Sequence, residues 1–97
     1  MRLVLIDNED WRLSCDFSER IRGLVFFHVQ MWKFSKSKFL EYHRAFNAIL
    51  EQLKAMGYSA VYATPFEDDV KAQKLIKAYG FYEVSRDRGA VLMERRI

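Results

Sequence analysis

Residues 35–63 read SKSKFLEYHRAFNAILEQLKAMGYSAVYA, and this stretch decides the fold. Its apolar residues recur at intervals of three and four, which predicts an amphipathic helix over about 36–56 with one buried stripe. A serine at 35 or 37 can cap the first turn, and Gly57 can adopt the left-handed conformation that ends a helix. The residues after Gly57 are rich in strand formers and predict a short strand over 58–63. The stripe consists of Phe39, Tyr42, Phe46, Ile49, Leu50, Leu53 and Met56.

Three strands are predicted ahead of this helix. Strict alternation of apolar and polar residues over Trp11–Phe17 is typical of a half-buried strand, and Arg2–Ile6 forms a first strand before it. Leu24–Trp32 is apolar at nearly every position, which predicts a central strand covered on both faces. The three should form an antiparallel meander. The third strand, the helix and the strand at 58–63 then make a crossover unit with parallel strands.

The remainder of the chain predicts a second helix and a closing hairpin. Residues 64–67, Thr-Pro-Phe-Glu, are a good helix opening, with threonine as cap and proline at the first helical position. Gly80 ends this helix, and strands at 81–84 and 90–93 pair across a turn at 86–89. The order is β-β-β-α-β-α-β-β, an α/β fold with a mixed sheet. The inward face of the second helix is predicted to hold Val70, Ala72, Leu75, Ile76 and Tyr79.

Composition bounds the class of protein. The 97 residues, 51% of them hydrophobic, fit a single folded domain. The net charge of +3 is mild and the acidic residues are clustered too, so charge alone gives little reason to expect a nucleic-acid partner. The single Cys15 cannot form an internal disulfide, and the apolar residues 3–6 are too few for a signal or membrane segment. We therefore expect a cytoplasmic protein with no membrane partner.

Two common kinds of site receive no support from the sequence. One cysteine and two distant histidines give no metal-ligand spacing, so no metal is expected. Cys15 alternates with apolar residues on the predicted inner face of its strand, which indicates an inert buried thiol more often than a nucleophile.

The element order, together with a helix that ends in Ala78-Tyr-Gly-Phe81, resembles the Gcn5-related N-acetyltransferase (GNAT) fold from its second strand to its end. Asp69-Val-Lys-Ala72 lies where that family often has Asn-x-x-Ala. The resemblance covers nearly the whole chain, as a single domain that lacks the family's first strand and first two helices. Residues 29–39, followed by a long basic helix, are similar to the acetyltransferase-like domain of internal virion proteins from short-tailed bacteriophages.

The resemblance implies a coenzyme A site at the loop between the central strand and the long helix. In the family this loop is patterned Gln/Arg-x-x-Gly-x-Gly/Ala, and its backbone N–H groups hold the pyrophosphate. The aligned positions here are Trp32, Ser35 and Ser37, so neither glycine is present. A serine side chain can crowd the approach that glycine permits. Two interpretations of this loop stay open: a phosphate cradle or a capped helix start in water. The candidate cofactor-binding residues are Lys33, Ser35, Lys36, Ser37 and Lys38.

The family's usual general acid is a tyrosine four residues before the glycine of its Gly-Phe pair. That position is Ile76 here, and isoleucine cannot donate a proton. Tyr79 is three residues further along, about 300° around a helix, so it need not point into the same cleft. His28, on the central strand, has a side chain suited to a general base near neutrality, although a histidine in an apolar strand is more often a hydrogen-bonded core residue.

From these features we expect a non-catalytic acetyltransferase-like domain with no cofactor, which acts as a homodimer or binds another protein. If it is phage-encoded, a virion component or an inhibitor of a host system would fit. Two alternatives remain: a small active N-acyltransferase that uses acetyl-CoA, with His28 as base, and a nucleic-acid-binding module around Lys33 and Arg44. Four aromatic residues are candidates for the protein interface, each with ordinary core packing as the alternative: Trp32, Phe34, Phe66 and Tyr82.

Overall fold

The computed structural model describes residues 1–97 and contains the predicted elements in the predicted order. Six strands and two helices follow one another along the chain, and their order confirms the mixed α/β prediction. Their bounds are β1 Arg2–Asp7, β2 Trp11–Phe17, β3 Val25–Met31, α1 Lys36–Ala55, β4 Ala60–Ala63, α2 Val70–Ala78, β5 Tyr82–Asp87 and β6 Ala90–Arg96.

The six strands form one sheet in the order β1-β2-β3-β4-β6-β5. β1, β2 and β3 form the predicted antiparallel meander, and β3 pairs in parallel with β4 as expected across the α1 crossover. β6 lies between β4 and β5 and is antiparallel to both. The closing hairpin turns at Arg88 and Gly89, both with positive φ, which gives it longer strands and a tighter turn than predicted.

Both helices pack on the same face of the sheet. One continuous core joins the inward residues of β2, β3, β4 and β6 to Phe46 and Leu50 of α1 and to Leu75 and Ile76 of α2. The prediction that β3 is covered on both faces is therefore wrong. Val25 and Phe27 are buried, whereas His28 and Gln30 point to the opposite side and are exposed. The apolar run contains the ordinary alternation of a strand with one covered face.

Local signals at its two ends define α1, as the sequence predicts. Ser35 is the N-cap residue, and its Oγ accepts a hydrogen bond from the Lys38 amide at 3.5 Å. At the other end Met56 is the C-cap residue, and Gly57 follows it with a φ of +100° that favours glycine. Neither helix of the chain combines the length and the apolar character needed to cross a membrane.

The predicted start of α2 is wrong. Thr64-Pro-Phe-Glu67 is a loop, and the helix begins at Val70 with Asp69 as its cap, because Asp69 Oδ1 accepts from the Ala72 amide at 3.0 Å. The loop is held by the closing hairpin: the Val91 amide donates to the Pro65 carbonyl, and the Glu67 amide donates to the Gly89 carbonyl. These tertiary bonds override a good local cap. Val70, predicted to face inward, is 55% exposed.

Candidate functional site

A cleft opens where β3 runs on beyond the end of β4. The two strands pair through Phe26 and Tyr62, and β4 stops one residue later, so that β3 continues to Met31 without this neighbour. A cavity of about 400 Å³ lies at this point. We call it the strand-end cleft, and it is lined by Arg2, Arg12, Ser14, Phe27, His28, Val29, Gln30, Thr64, Pro65, Phe66, Asp69, Ala72 and Ile76.

One wall of this cleft is the loop between β4 and α2, and a buried glutamine fixes it. Gln73 Nε2 donates to the carbonyl of Phe66 at 2.9 Å and to the carbonyl of Glu67 at 2.8 Å. Sequence reasoning missed Gln73, because nothing in the pattern distinguishes a polar residue that reaches back to a loop from one that faces water. The loop therefore has a fixed position although it contains no regular structure.

His28 lines the strand-end cleft and is not a core residue. Its Nε2 lies 4.0 Å from Asp16 Oδ2, and the same carboxylate oxygen is 3.5 Å from the Arg2 guanidinium. Partial burial and the positive charge of Arg2 lower the pKa of His28 below its ordinary value, with Asp16 acting in the opposite direction. At neutral pH the imidazole is thus uncharged and can accept a proton, although 45% of the side chain is exposed.

The candidate phosphate cradle lies at the start of α1. Ser35 has a φ of −142°, an extended conformation that any residue adopts, so the missing glycines leave no strain in this backbone. Ser35 Oγ is 3.1 Å from Ser37 Oγ and caps the Lys38 amide. The loop therefore presents hydroxyls where the family pattern has bare backbone. Lys38 forms an ion pair with Glu41 at 3.3 Å, and Lys33 and Lys36 are exposed.

The residue that replaces the family's tyrosine acid lies in the strand-end cleft. Ile76 lines it and offers no proton. Tyr79 is fully buried among Phe27, Phe39 and Phe46, and its hydroxyl has no hydrogen-bond partner. Tyr79 does not line the cleft, although position 79 lies only about 60° from position 76 around a helix, because its ring packs into the core. Burial in the core raises its pKa.

The strand-end cleft continues toward α1. It shares Val29, Gln30, Asp69 and Ala72 with a smaller cavity of about 170 Å³ beside Trp32. That cavity shares Met31, Lys71 and Leu75 with an open groove of about 320 Å³ between the start of α1 and α2. We call it the lysine groove, and it is lined by Met31, Phe34, Phe39, Lys71, Lys74, Leu75 and Ala78. The repeat of lysines at positions 71 and 74 could have been read as one edge of a helix.

The four aromatic residues proposed for an interface are all exposed, so core packing is wrong for each of them. They do not form one patch. Trp32 lines the small cavity, Phe34 the lysine groove and Phe66 the strand-end cleft, whereas Tyr82 lies on the helix-free face of the sheet and donates to Glu94 Oε1 at 2.7 Å. Their exposure makes contact with a partner possible at four different places.

The helix-free side of the sheet, the open face, has an aromatic pair at its centre with polar residues and paired charges around it. Phe26 and Tyr62 lie 6.4 Å apart at its centre, and Val4 and Tyr82 are exposed toward its two edges. Its ion pairs join Arg2 to Asp16, Arg12 to Asp7 and Arg96 to Glu94.

The structure supports neither a reactive cysteine nor a metal site. Cys15 is fully buried on the covered face, and burial raises the pKa of its thiol to about 11, which agrees with an inert side chain. The structure brings no group of three or more histidine, cysteine or acidic side chains together in an arrangement that could hold a metal ion.

The chain matches no family model and no curated protein in sequence. It does match solved structures. A domain from Methanocaldococcus jannaschii superimposes with a TM-score of 0.62 at 19% identity, over 97% of this chain and 63% of that one. An acetyltransferase of the GNAT family from Streptococcus pneumoniae superimposes with a TM-score of 0.61 at 17% identity, over 90% of this chain and 57% of that one.

These likenesses establish the fold and no more. The chain has a GNAT-like fold, and it spans less than two thirds of the length of both similar structures. Whether it carries out acetyl transfer is a separate question, because one fold supports many functions and function depends on the site. The similarity to phage internal virion proteins stays a prediction from the sequence.

Proposed function

We propose that this GNAT-like domain is non-catalytic and works by binding protein through the open face of its sheet. One observation carries the proposal: both helices pack on the opposite face, so the half-buried aromatic pair Phe26 and Tyr62 at the centre of the open face has no helix over it. Aromatic side chains on a face without cover are typical anchors of a protein interface. The occupant that we propose is a second copy of the chain.

The charges of the open face favour self-association over an acidic or basic partner. Each of its three ion pairs is formed within the face, so it has no excess of either sign. A face with paired charges can meet a copy of itself without like-charge repulsion, and a two-fold axis makes such an interface self-complementary. Nucleic acid would need a surplus of positive charge.

The size of the face is adequate for a dimer. The 37 residues of the six strands, each about 3.3 Å long in strands about 4.8 Å apart, give a footprint of roughly 590 Å². The accessible area of protruding side chains exceeds their footprint, which brings the face close to the ~800 Å² per partner of stable interfaces. Two sheets stacked about 10 Å apart are a common packing arrangement.

Light scattering on the wild type and two matched variants tests the dimer. Phe26→Lys places a charge at the centre of the open face, whereas Leu40→Lys places the same charge on an exposed apolar site of α1. We expect the wild type and Leu40→Lys to have twice the mass of one chain, and Phe26→Lys to be monomeric with an unchanged circular dichroism spectrum. A monomeric wild type at about 100 μM would contradict the proposal, since stable interfaces of this size reach micromolar affinity or better.

The loss of catalysis is proposed from the two parts of the site on which the family's chemistry depends, the general acid and the loop that holds the pyrophosphate. Ile76 supplies no acid in the strand-end cleft, and the only tyrosine nearby on α2 is buried in the core. Ser35 and Ser37 place hydroxyls at the start of α1 and take up one of its free amides. We therefore expect no binding of acetyl-CoA at millimolar concentration.

Calorimetry with acetyl-CoA tests this expectation, and a glycine variant identifies its cause. Ser35→Gly/Ser37→Gly restores the family pattern at the start of α1, where the backbone conformation already suits serine. Weak binding gained by this variant and absent from the wild type would attribute the loss to the serine side chains. Micromolar binding by the wild type, lost in Lys36→Glu/Lys38→Glu, would contradict the non-catalytic proposal.

One observation favours an active acyltransferase as the second candidate. The strand-end cleft and the lysine groove both adjoin the small cavity beside Trp32, and His28 in the cleft is uncharged at neutral pH and could act as a base. In that case acetyl-CoA turnover on an amine would fall at least a hundredfold in His28→Asn, since general bases contribute about that much or more. Turnover that is absent from the wild type would exclude this candidate.

A further inference from the structure

The lysine groove has an apolar floor with an exposed aromatic wall. Met31, Phe39 and Leu75 form its floor, and Phe34 stands beside them with 60% of its surface exposed. The rings of Phe34 and Phe39 lie 6.4 Å apart, so Phe34 is supported on one side and free on the other. An exposed ring next to an apolar channel is a typical anchor for a binding partner.

The charge at the edge of this groove is entirely positive. Lys71 and Lys74 are three residues apart on α2, which places both ammonium groups along the same edge. No carboxylate lines the groove. The ion pairs of the chain use other cations, namely the N-terminus, Arg2, Arg12, His28, Lys38, Arg86, Arg88 and Arg96.

We infer that the lysine groove binds an acidic amphipathic peptide segment of a partner protein. Apolar side chains at positions i and i+4 of a helical segment would fill the channel, with Phe34 against one of them. Carboxylates on the adjacent stripe would meet Lys71 and Lys74, which have about the same spacing as successive turns of the segment. The groove complements both properties of such a segment.

A peptide fits the groove better than nucleic acid or a phosphate ligand does. Nucleic-acid sites align many cations along a backbone track, whereas this groove offers two lysines beside a channel of carbon atoms. At the start of α1, the helix N-terminus nearest to the groove, the Lys38 amide already donates to Ser35 Oγ, so fewer free amides remain to bind a phosphate. The groove also lies on the helix-covered side of the sheet, so peptide binding is independent of pairing through the open face.

The probe is a synthetic helical peptide of 16 residues with leucine at every third or fourth position and glutamate on the flanking stripe. Its fluorescence anisotropy is titrated with the wild type and with Lys71→Glu/Lys74→Glu, Phe34→Ala and Lys77→Glu. Lys77 lies on the same helix but does not line the groove, so it is the matched control. We expect the double reversal to weaken binding at least a hundredfold and Phe34→Ala about tenfold, with Lys77→Glu within twofold.

A charge swap separates recognition from misfolding. The Lys71→Glu/Lys74→Glu variant should bind the same peptide with lysine in place of glutamate, and the wild type should not. The monomeric Phe26→Lys variant should bind the acidic peptide as the wild type does. No binding at 1 mM acidic peptide would overturn the inference, as would displacement of the peptide by coenzyme A or by an oligonucleotide at equal concentration.

Discussion

The two faces of the sheet consist of alternating residues of the same strands, yet only one of them has a core. Phe27 is fully buried, with the ring of Phe46 at 4.4 Å and that of Phe81 stacked at 5.5 Å. Phe26, its neighbour in sequence, lies on the open face and touches Tyr62 alone among the aromatic residues. The same side chain thus has two different surroundings, decided by the pleat and by which face the crossovers cover.

The largest expected effect on stability comes from comparing alanine substitutions at Phe27 on the covered face and Phe26 on the open face. Phe27→Ala should cost about 3–5 kcal/mol of unfolding free energy, because it leaves a cavity among three aromatic rings. Phe26→Ala removes the same atoms from a half-buried site and should cost less than about 1.5 kcal/mol. Urea unfolding of both variants, compared at conditions where the chain is monomeric, gives the two values. Equal losses would mean that the open face is packed as tightly as the covered one.

The next effect concerns the loop between β4 and α2, which Gln73 holds in place. Gln73→Ala leaves the carbonyls of Phe66 and Glu67 without their side-chain donor and should cost about 1–3 kcal/mol. Lys74→Ala, on the next position of α2 and exposed, is the control and should stay within about 0.5 kcal/mol. Thermal unfolding followed by circular dichroism measures both. If Gln73→Ala behaves like the control, the loop is held by the hairpin alone.

The elements were predictable because their signals are local. Three signals define α1, and each acts within a few residues: apolar side chains at intervals of three and four, the serine before the helix and Gly57 after it. β2 was predicted with its observed bounds. The start of α2 was not predictable in the same way. Threonine and proline at 64 and 65 form a good cap by themselves, but hydrogen bonds from the closing hairpin hold them in a loop. That information lies more than twenty residues away in the sequence.

The candidate site was less predictable than the fold, because it depends on which face is covered. His28 was singled out by its residue type, but its contacts with Asp16 and through it with Arg2 depend on the pairing of three strands. The interface aromatics were named from composition, and their exposure at four different places follows from the tertiary structure. The lysine groove had a readable signal in the spacing of its lysines, but its apolar floor comes from three different segments.

A smaller effect should appear on the open face at its β5 edge. Hydrogen bonds from Tyr82 and then from Arg96 lower the pKa of Glu94. A carboxyl with a lowered folded pKa stabilises the protein above its unfolded pKa, and this contribution disappears as the pH falls through the folded value. Tyr82→Phe should therefore raise the pKa of Glu94, and its loss of stability relative to the wild type should be visible at pH 7 and should disappear as the pH falls through the folded pKa of Glu94, which lies below 4.5. A loss that does not depend on pH would assign the role of Tyr82 to packing.

The smallest effect is the titration of His28, which reports on how dry the open face is. Burial first and Arg2 second lower the pKa of His28 from 6.5, and Asp16 raises it. Because the folded pKa is lowered, neutral His28 contributes stability that is present above pH 6.5 and lost as the pH falls below it. In NMR titrations Arg2→Gln should raise the pKa of His28 and Asp16→Asn should lower it further, with His43 on α1 unchanged in both as the internal control.

If two copies pack through the open face, the pKa of His28 in the wild type should also fall with increasing protein concentration, since a second sheet removes more water. A pKa that is the same in the dilute and the concentrated protein would place the contact between copies elsewhere.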